Sequence, residues 1–226
     1  CKHKSGFFYD GQGTLIVPIN EPKISDQPFG ASFEHPSHDS QYVFRQTLKS
    51  MAEPGSIITI NAKIASPPPL SIATAAICLS LLDFETYLWI EPSLATDDIK
   101  QYLKFHTGLK FAEQPDQANF CILGTQIPDL SLFNTGTDDY PENGATLIIQ
   151  ADDIASHAQL QLEGPGIETY RHLSISYIKK RFWLDRDSLQ SLFPRGLDLI
   201  FTCHNTMASI PRTTRINVLK NSMNGC

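Results

Sequence analysis

The sequence lacks the short motifs that mark the common nucleotide-binding and hydrolytic active sites. GxxxxGK[ST], GxGxxG, GxSxG and HExxH are all absent from its 226 residues. Phosphate-loop NTPases, Rossmann enzymes, α/β-hydrolases and zincin metalloproteases therefore lose their usual sequence support. CxxC pairs are absent too, and the five cysteines show no zinc or iron–sulfur spacing. We expect no metal site.

Positive charge and long apolar runs are also scarce. The 18 basic residues are outnumbered by 24 acidic ones, so a broad nucleic-acid-binding surface is not expected. No run reaches the roughly 18 apolar residues of a membrane span, and no basic-then-apolar leader opens the chain. Cys78, Cys121 and Cys203 lie in apolar runs, which favours reduced core thiols and a cytoplasmic location. The chain does not begin with Met, so its native start stays open.

The sequence does contain enough apolar residues for one folded α/β domain. Hydrophobic residues make up 41% of it and charged residues 19%, as in ordinary globular proteins. Residues 1–36 carry scattered Gly and Pro, and we interpret them as an N-terminal extension. Residues 37–226 form the predicted single domain.

The periodicity predicts helices early in this domain and mostly strands late in it. We predict helices over residues 39–53, 70–82 and 183–192, and one over 97–106 that Thr96 and Gly108 cap. The predicted strands cover residues 56–60, 86–90, 119–123, 145–150, 159–162, 197–203, 207–210 and 215–219. The expected fold class is α/β, with a mixed sheet flanked by helices.

Two groups of helical residues are candidates for binding an anion. Arg45 and Lys49 lie four residues apart on the first helix, where an anion between them would relieve their repulsion. His106 and Thr107 end the third helix, where the helix dipole favours a protonated imidazole beside a hydroxyl donor. Two solvated side chains and a plain helix cap are the structural alternatives.

A third candidate follows a predicted strand, in the segment PRTTR. Arg212 and Thr213 offer a guanidinium and a hydroxyl that suit phosphate oxygens. Arg195, in FPRG, would join them if the sheet brought both segments together. The alternative is an exposed turn whose hydroxyls bond to the backbone.

Six phrases in this order resemble the PhnH family, which supplies one component of the bacterial carbon-phosphorus lyase system. They are FR at residues 44–45 with MAEPG at 51–55, FHTG at 105–108, PENGATL at 141–147, LQLEGPGI at 160–167, FPRGLD at 193–198 and IPRTT at 210–214. Each phrase alone is weak, but together they cover about residues 37–218, so the resemblance is specific.

The resemblance implies a subunit of the assembly that forms a ribose 1-phosphonate 5-triphosphate from a phosphonate and a nucleoside triphosphate. It implies the G, I and J subunits as partners, a homodimer, and a fold similar to pyridoxal-phosphate-dependent transferases but without the cofactor. The chain would then be a non-autonomous part of a transferase and lyase complex.

Two roles within that assembly stay open. In one, Arg45, His106, Thr107, Arg195, Arg212 and Thr213 bind a phosphate, nucleotide or phosphonate. In the other, the chain is architectural and its arginines pair with carboxylates, which we favour because no base–nucleophile pair accompanies them. Outside the family, the alternative is a stand-alone pyridoxal-phosphate enzyme, for which Lys179 is the only lysine with a supporting motif.

Overall fold

A computed structural model describes residues 8–9, 15–16, 31–124 and 126–219 of the chain. Apart from two short strands and residues 31–36, the proposed N-terminal extension lies outside the described residues, as do Cys1 and Cys226. The boundary at residue 37 stays a prediction.

Four α-helices lie in the part of the chain that the structure describes, and each buries part of its surface. They are α1 (Pro36–Ala52), α2 (Ile72–Leu81), α3 (Asp97–Thr107) and α4 (Lys180–Ser188). The Thr96 hydroxyl accepts a hydrogen bond from the Ile99 amide, and Gly108 ends α3 with a left-handed φ of 74°, as predicted. Six consecutive residues of α2, Ala73 to Cys78, are buried, which confirms a core helix.

Most of the strands belong to two sheets. The strands are β1 (Phe8–Tyr9), β2 (Leu15–Ile16), β3 (Ile58–Thr59), β4 (Tyr87–Ile90), β5 (Lys110–Phe111), β6 (Phe120–Leu123), β7 (Thr146–Gln150), β8 (Ile154–Glu163), β9 (Arg171–Ile175), β10 (Asp198–Cys203), β11 (Thr206–Ile210) and β12 (Arg215–Val218). A seven-stranded sheet has the order β3-β11-β10-β7-β6-β4-β5, and an antiparallel sheet has the order β12-β8-β9. The short strands β1 and β2 pair with each other.

The large sheet is mixed, so the predicted α/β class with a mixed sheet is confirmed. Neighbours from β10 through β7, β6 and β4 to β5 are parallel, whereas β11 is antiparallel to both β10 and β3. Because parallel strands share one direction, their carboxyl ends meet along one edge of the sheet and their amino ends along the other.

Both faces of the large sheet are covered, so neighbouring residues of one strand belong to different cores. In β7, Leu147 and Ile149 pack in the core that contains α4 and the small sheet. Ile148, between them, packs in the core formed with α1, α2 and α3. Near-continuous apolar strands such as β7 and β10 are typical of a sheet buried on both sides.

The predicted strands and helices are found with shifted ends, whereas β5 of the large sheet and two parts of the small sheet were not anticipated. Strand β8 extends well beyond the predicted residues 159–162, and β9 was not predicted. The helix predicted over 183–192 is α4 followed by a 3-10 turn at Leu189–Leu192. No helix within the described residues is long and apolar enough to cross a membrane.

The three described cysteines are free and buried, as predicted. Desolvation raises the pKa of Cys78 and of Cys121 to about 12, so both thiols stay protonated at neutral pH. These residues pack as small hydrophobic groups.

The loop between β8 and β9 wraps onto the end of α1. Arg171 donates from Nη1 to the carbonyls of Glu53 and Pro54, each at 2.9 Å. Gly166 has a φ of 82°, and a Cβ there would lie 1.9 Å from the Ala52 carbonyl oxygen. Only glycine allows the two backbones to approach this closely.

We predict that Gly166→Ala lowers the free energy of unfolding by about 3 kcal/mol or more, because the clash adds to left-handed strain. Gly108→Ala is the matched control, since its φ is also left-handed but the nearest atom to its added Cβ is 3.5 Å away. It should lose only about 1 kcal/mol. Urea unfolding followed by circular dichroism measures both, and equal losses would refute the packing argument.

Candidate functional site

Arg212, in the turn between β11 and β12, is held by backbone and side-chain acceptors. Its Nη2 and Nε lie 2.7 and 3.1 Å from Oδ2 of Asp198, and its backbone amide lies 2.8 Å from Oδ1. Its Nη1 donates to the Pro141 carbonyl. One side chain therefore joins the start of β10, the turn before β12 and the loop that leads to β7.

Two glycines allow these segments to close around the guanidinium. A Cβ on Gly144 would lie 3.1 Å from both Nη1 and Nη2 of Arg212 and 2.5 Å from the Gly196 carbonyl oxygen. A Cβ on Gly196 would lie 3.1 Å from Cβ of Arg212. The site is thus filled by protein atoms on these sides.

A second arginine shares the field of Asp198. Arg186, on α4, is 1% exposed and donates from Nη2 to the Pro211 carbonyl at 2.8 Å. Desolvation lowers its pKa to about 10, although Asp198 and Asp187 act in the opposite direction. Arg186 was not predicted, because flanking Asp185 and Asp187 make its segment resemble a solvated helix face.

The other two predicted residues of this region are more exposed. Nε of Arg195 lies 3.1 Å from Oδ1 of Asp138, and the side chains are 33% and 82% exposed. This contact is an ion pair, and Nε of Arg195 makes no hydrogen bond to the described residues. Thr213 is exposed at the turn. The structure thus brings the Arg195 and Arg212 segments together, and each guanidinium already has a carboxylate partner.

The remaining predicted residues belong to the helical layer. Arg45 is exposed on α1. The Thr107 hydroxyl donates to the Leu103 carbonyl at 2.8 Å and accepts from the Leu109 amide at 3.2 Å, so it serves the end of α3.

His106 packs edge-on against the Tyr102 and Phe105 rings, with ring centroids 4.8 and 5.0 Å away. It lines a cavity of about 510 Å³ with residues of α1 and α2, and neither Arg195 nor Arg212 lines that cavity. The six predicted residues therefore do not line one cleft, and anion binding by them stays a prediction.

A different cavity lies at the carboxyl ends of β4, β6 and β7. It has a volume of about 970 Å³. Its lining residues are Trp89, Glu91, Pro92, Gln126, Ile127, Pro128, Asp129, Leu130, Asp152, Tyr177, Lys179, Arg181, Phe182 and Asp185. We call it the carboxyl-edge cavity. Its residues come from segments far apart in sequence, and Glu91 directly after a predicted strand was the one local signal that could have indicated it.

Glu91 occupies the inner wall of the carboxyl-edge cavity. It is 6% exposed. Its carboxylate accepts hydrogen bonds from the Ser93 amide at 3.1 Å and the Ser93 hydroxyl at 2.6 Å. A Cβ on Gly124 would come 3.4 Å from Oε2, so the carboxylate lies over the glycine that follows β6.

The lining of the carboxyl-edge cavity also includes charged residues from the start of α4. Lys179 is exposed, as predicted, and no side chain caps the helix. Nε of Arg181 lies 2.8 Å from Oδ1 of Asp185. Asp129 accepts from the Ser131 amide at 2.9 Å, and this hydrogen bond lowers the pKa of the carboxyl.

Comparisons with known proteins identify relatives of the whole folded region. The family model described as bacterial phosphonate metabolism protein (PhnH) matches residues 31–217. A Rhizobium meliloti protein named α-D-ribose 1-methylphosphonate 5-triphosphate synthase subunit PhnH is 29% identical over 192 residues, or 84% of this chain and 96% of the relative. A Stutzerimonas stutzeri protein named putative C-P lyase subunit protein HtxG is 28% identical over 181 residues, or 79% of this chain and 86% of the relative.

The contacts of Arg212 generate a stability prediction. Arg212→Met keeps most of the side-chain volume but leaves the Asp198 carboxylate, which is 17% exposed, without its hydrogen-bonded cation. We expect a loss of about 3 kcal/mol in the free energy of unfolding. Arg195→Met should lose less than about 1 kcal/mol, because its partner Asp138 is 82% exposed and solvent screens the pair.

Chemical denaturation of both variants beside the unmodified chain tests this difference. An Arg212→Met protein as stable as the unmodified chain would show that the guanidinium is dispensable for folding. That outcome would favour the ligand-binding role instead.

Proposed function

Since the chain belongs to the PhnH family of bacterial phosphonate metabolism proteins, we propose that it is a subunit of a carbon-phosphorus lyase complex. Two relatives matched over most of their length are named as a synthase subunit and as a putative C-P lyase subunit. By analogy, the complex forms ribose 1-phosphonate 5-triphosphate from a phosphonate and a nucleoside triphosphate, in the cytoplasm, with the G, I and J subunits as partners.

Within that complex we assign the chain an architectural role. The observation that carries this assignment is the Arg212 contact set, because Nε, Nη1 and Nη2 all donate to protein oxygens. The N–H groups that remain on Nη1 and Nη2 belong to a side chain that is only 15% exposed, whereas an arginine reserved for a phosphate would turn a pair of donors toward solvent or the ligand. The expected partnership between arginines and carboxylates supports architecture over direct anion binding.

The stand-alone pyridoxal-phosphate transferase gains no support from the relatives, which are named as subunits. Lys179, its candidate lysine, is exposed at the start of α4, whereas a lysine activated by desolvation lies in a hydrophobic pocket. A fold similar to pyridoxal-phosphate-dependent transferases, without the cofactor, stays a prediction from the family resemblance.

The helical layer presents an apolar surface suited to subunit contact. Phe44 and Leu48 on α1 are 43% and 52% exposed. They line a shallow groove of about 170 Å³, which also contains Thr47, Met51, Leu81, Phe120, Thr146 and Ile200. Exposed apolar patches on soluble proteins mark interaction sites, so we propose this groove as the contact between two copies in a homodimer.

Genetic complementation tests the subunit assignment. In a bacterial strain lacking only the gene for this chain, its reintroduction should restore growth on methylphosphonate as the sole phosphorus source. Growth on inorganic phosphate is the control. Failure of a soluble, folded chain to restore growth would contradict the assignment.

The same strain separates the two roles through Arg212→Met. Affinity capture of the complex shows whether the variant chain assembles with the other subunits. Lost growth with lost assembly agrees with architecture, whereas lost growth with intact assembly and stability would favour a ligand site.

A substitution in the groove should dissociate the proposed homodimer and so lower the mass of the protein in solution. Leu48→Glu should convert the homodimer into a monomer of 25.2 kDa, because it places a charge in the apolar contact. Leu184→Glu is the matched control, since Leu184 on α4 is 51% exposed and lies outside the groove. Light scattering after size-exclusion chromatography gives both masses. A monomeric unmodified chain, or dimers of both variants, would contradict this contact.

A further inference from the structure

The carboxyl-edge cavity lies where the path of the chain reverses. From β4 the chain passes through α3 to β5 on one side, and then returns to β6 on the other side of β4. In open α/β sheets, ligands bind outside the carboxyl ends of the strands at such a reversal. The volume of about 970 Å³ lies within the range of small-molecule sites.

The charges on its walls limit what it binds. Four carboxylates line it, from Glu91, Asp129, Asp152 and Asp185, against two cations, Lys179 and Arg181. The balance is two negative charges, and Arg181 is already paired with Asp185. A triphosphate or another polyanion would be repelled, because charges of one sign concentrate their field in a cleft.

Glu91 is the deepest unpaired charge among these groups. Among the described residues its carboxylate has no ion-pair partner within 4.0 Å. Both hydrogen bonds that its carboxylate accepts come from the neutral residue Ser93. A carboxylate has about four acceptor positions, so capacity remains for a ligand donor. A desolvated charge is costly unless it is paired, which favours a cation.

The remaining walls indicate what kind of cation fits. Trp89, Tyr177 and Phe182 line the cavity beside the carboxylates. Aromatic faces attract ammonium and guanidinium groups. No group of three or more His, Cys, Asp or Glu in the described ranges could hold a metal ion. Tyr177 keeps a φ of 60° at the rim, and such backbone outliers cluster at ligand sites.

We propose that the carboxyl-edge cavity binds an organic cation, with an ammonium or guanidinium group held at Glu91 beside the Trp89 ring. The cation is either a free small molecule or the end of an Arg or Lys side chain. This site is separate from the Arg212 contacts and from the apolar groove, and it does not depend on the proposed subunit role.

Tryptophan fluorescence gives a direct test, because the chain has two tryptophans and the second, Trp183, is fully buried. Agmatine supplies the guanidinium as a free molecule, and acetyl-Gly-Arg-Gly-amide supplies it as a side chain. We expect a saturable change in emission with at least one of them, and Trp89→Phe should abolish it. The tighter ligand identifies the source of the cation.

The charge of Glu91 provides the decisive comparison. Glu91→Gln should weaken binding at least about tenfold, while Glu113→Gln, at an exposed carboxylate outside the cavity, should leave it within about twofold. Isothermal titration calorimetry of the unmodified chain checks binding independently of the fluorescence and of how well Glu91→Gln folds. Three results would overturn the proposal: no binding of either guanidinium, equal affinity in Glu91→Gln, or saturable binding of inorganic phosphate or ribose instead.

Discussion

The shared direction of five neighbouring strands organises the chemistry of this protein. Because β10, β7, β6, β4 and β5 run parallel, every loop that leaves them lies at one edge of the sheet and every loop that enters them lies at the other. Cores cover both faces, so polar side chains gather at the two edges. The edge at the amino ends of the strands, which we call the entering edge, holds the Arg212 contacts. The edge at their carboxyl ends, which we call the leaving edge, holds the carboxyl-edge cavity.

These edges differ in how their charges are satisfied. Asp198 opens β10 at the entering edge, and Arg212 surrounds its carboxylate with three hydrogen bonds, while buried Arg186 lies in the same electrostatic field. The charges of Asp198, Arg212 and Arg186 therefore hold distant segments of the chain together. At the leaving edge, Glu91 accepts only from its near neighbour Ser93. Its hydrogen bonds are local, join no distant segments and leave the carboxylate without a counter-ion.

The helices, and the strands of the large sheet other than the two-residue β5, could be predicted from sequence because their causes are local. Thr96 and Gly108 cap the two ends of α3 and lie next to it in sequence. The continuous apolar run of β7 is typical of a strand that is buried on both faces. Strand β9 escaped prediction because polar Arg171 and His172 interrupt its alternation. The carboxylate partners of the arginines could not be predicted, since Asp198 lies 14 residues from Arg212 in sequence and Asp138 precedes Arg195 by a long segment.

The same distinction explains what the six family phrases describe. They include Gly166 against Ala52, and Gly144 and Gly196 against Arg212, which are close approaches that hold loops and layers together. The residues that line the carboxyl-edge cavity lie outside all six phrases. The family phrases therefore contain residues that hold the scaffold together. At the leaving edge, an excess of carboxylates and the aromatic walls of the cavity favour a cation over the anions that the arginines of the family phrases first indicated.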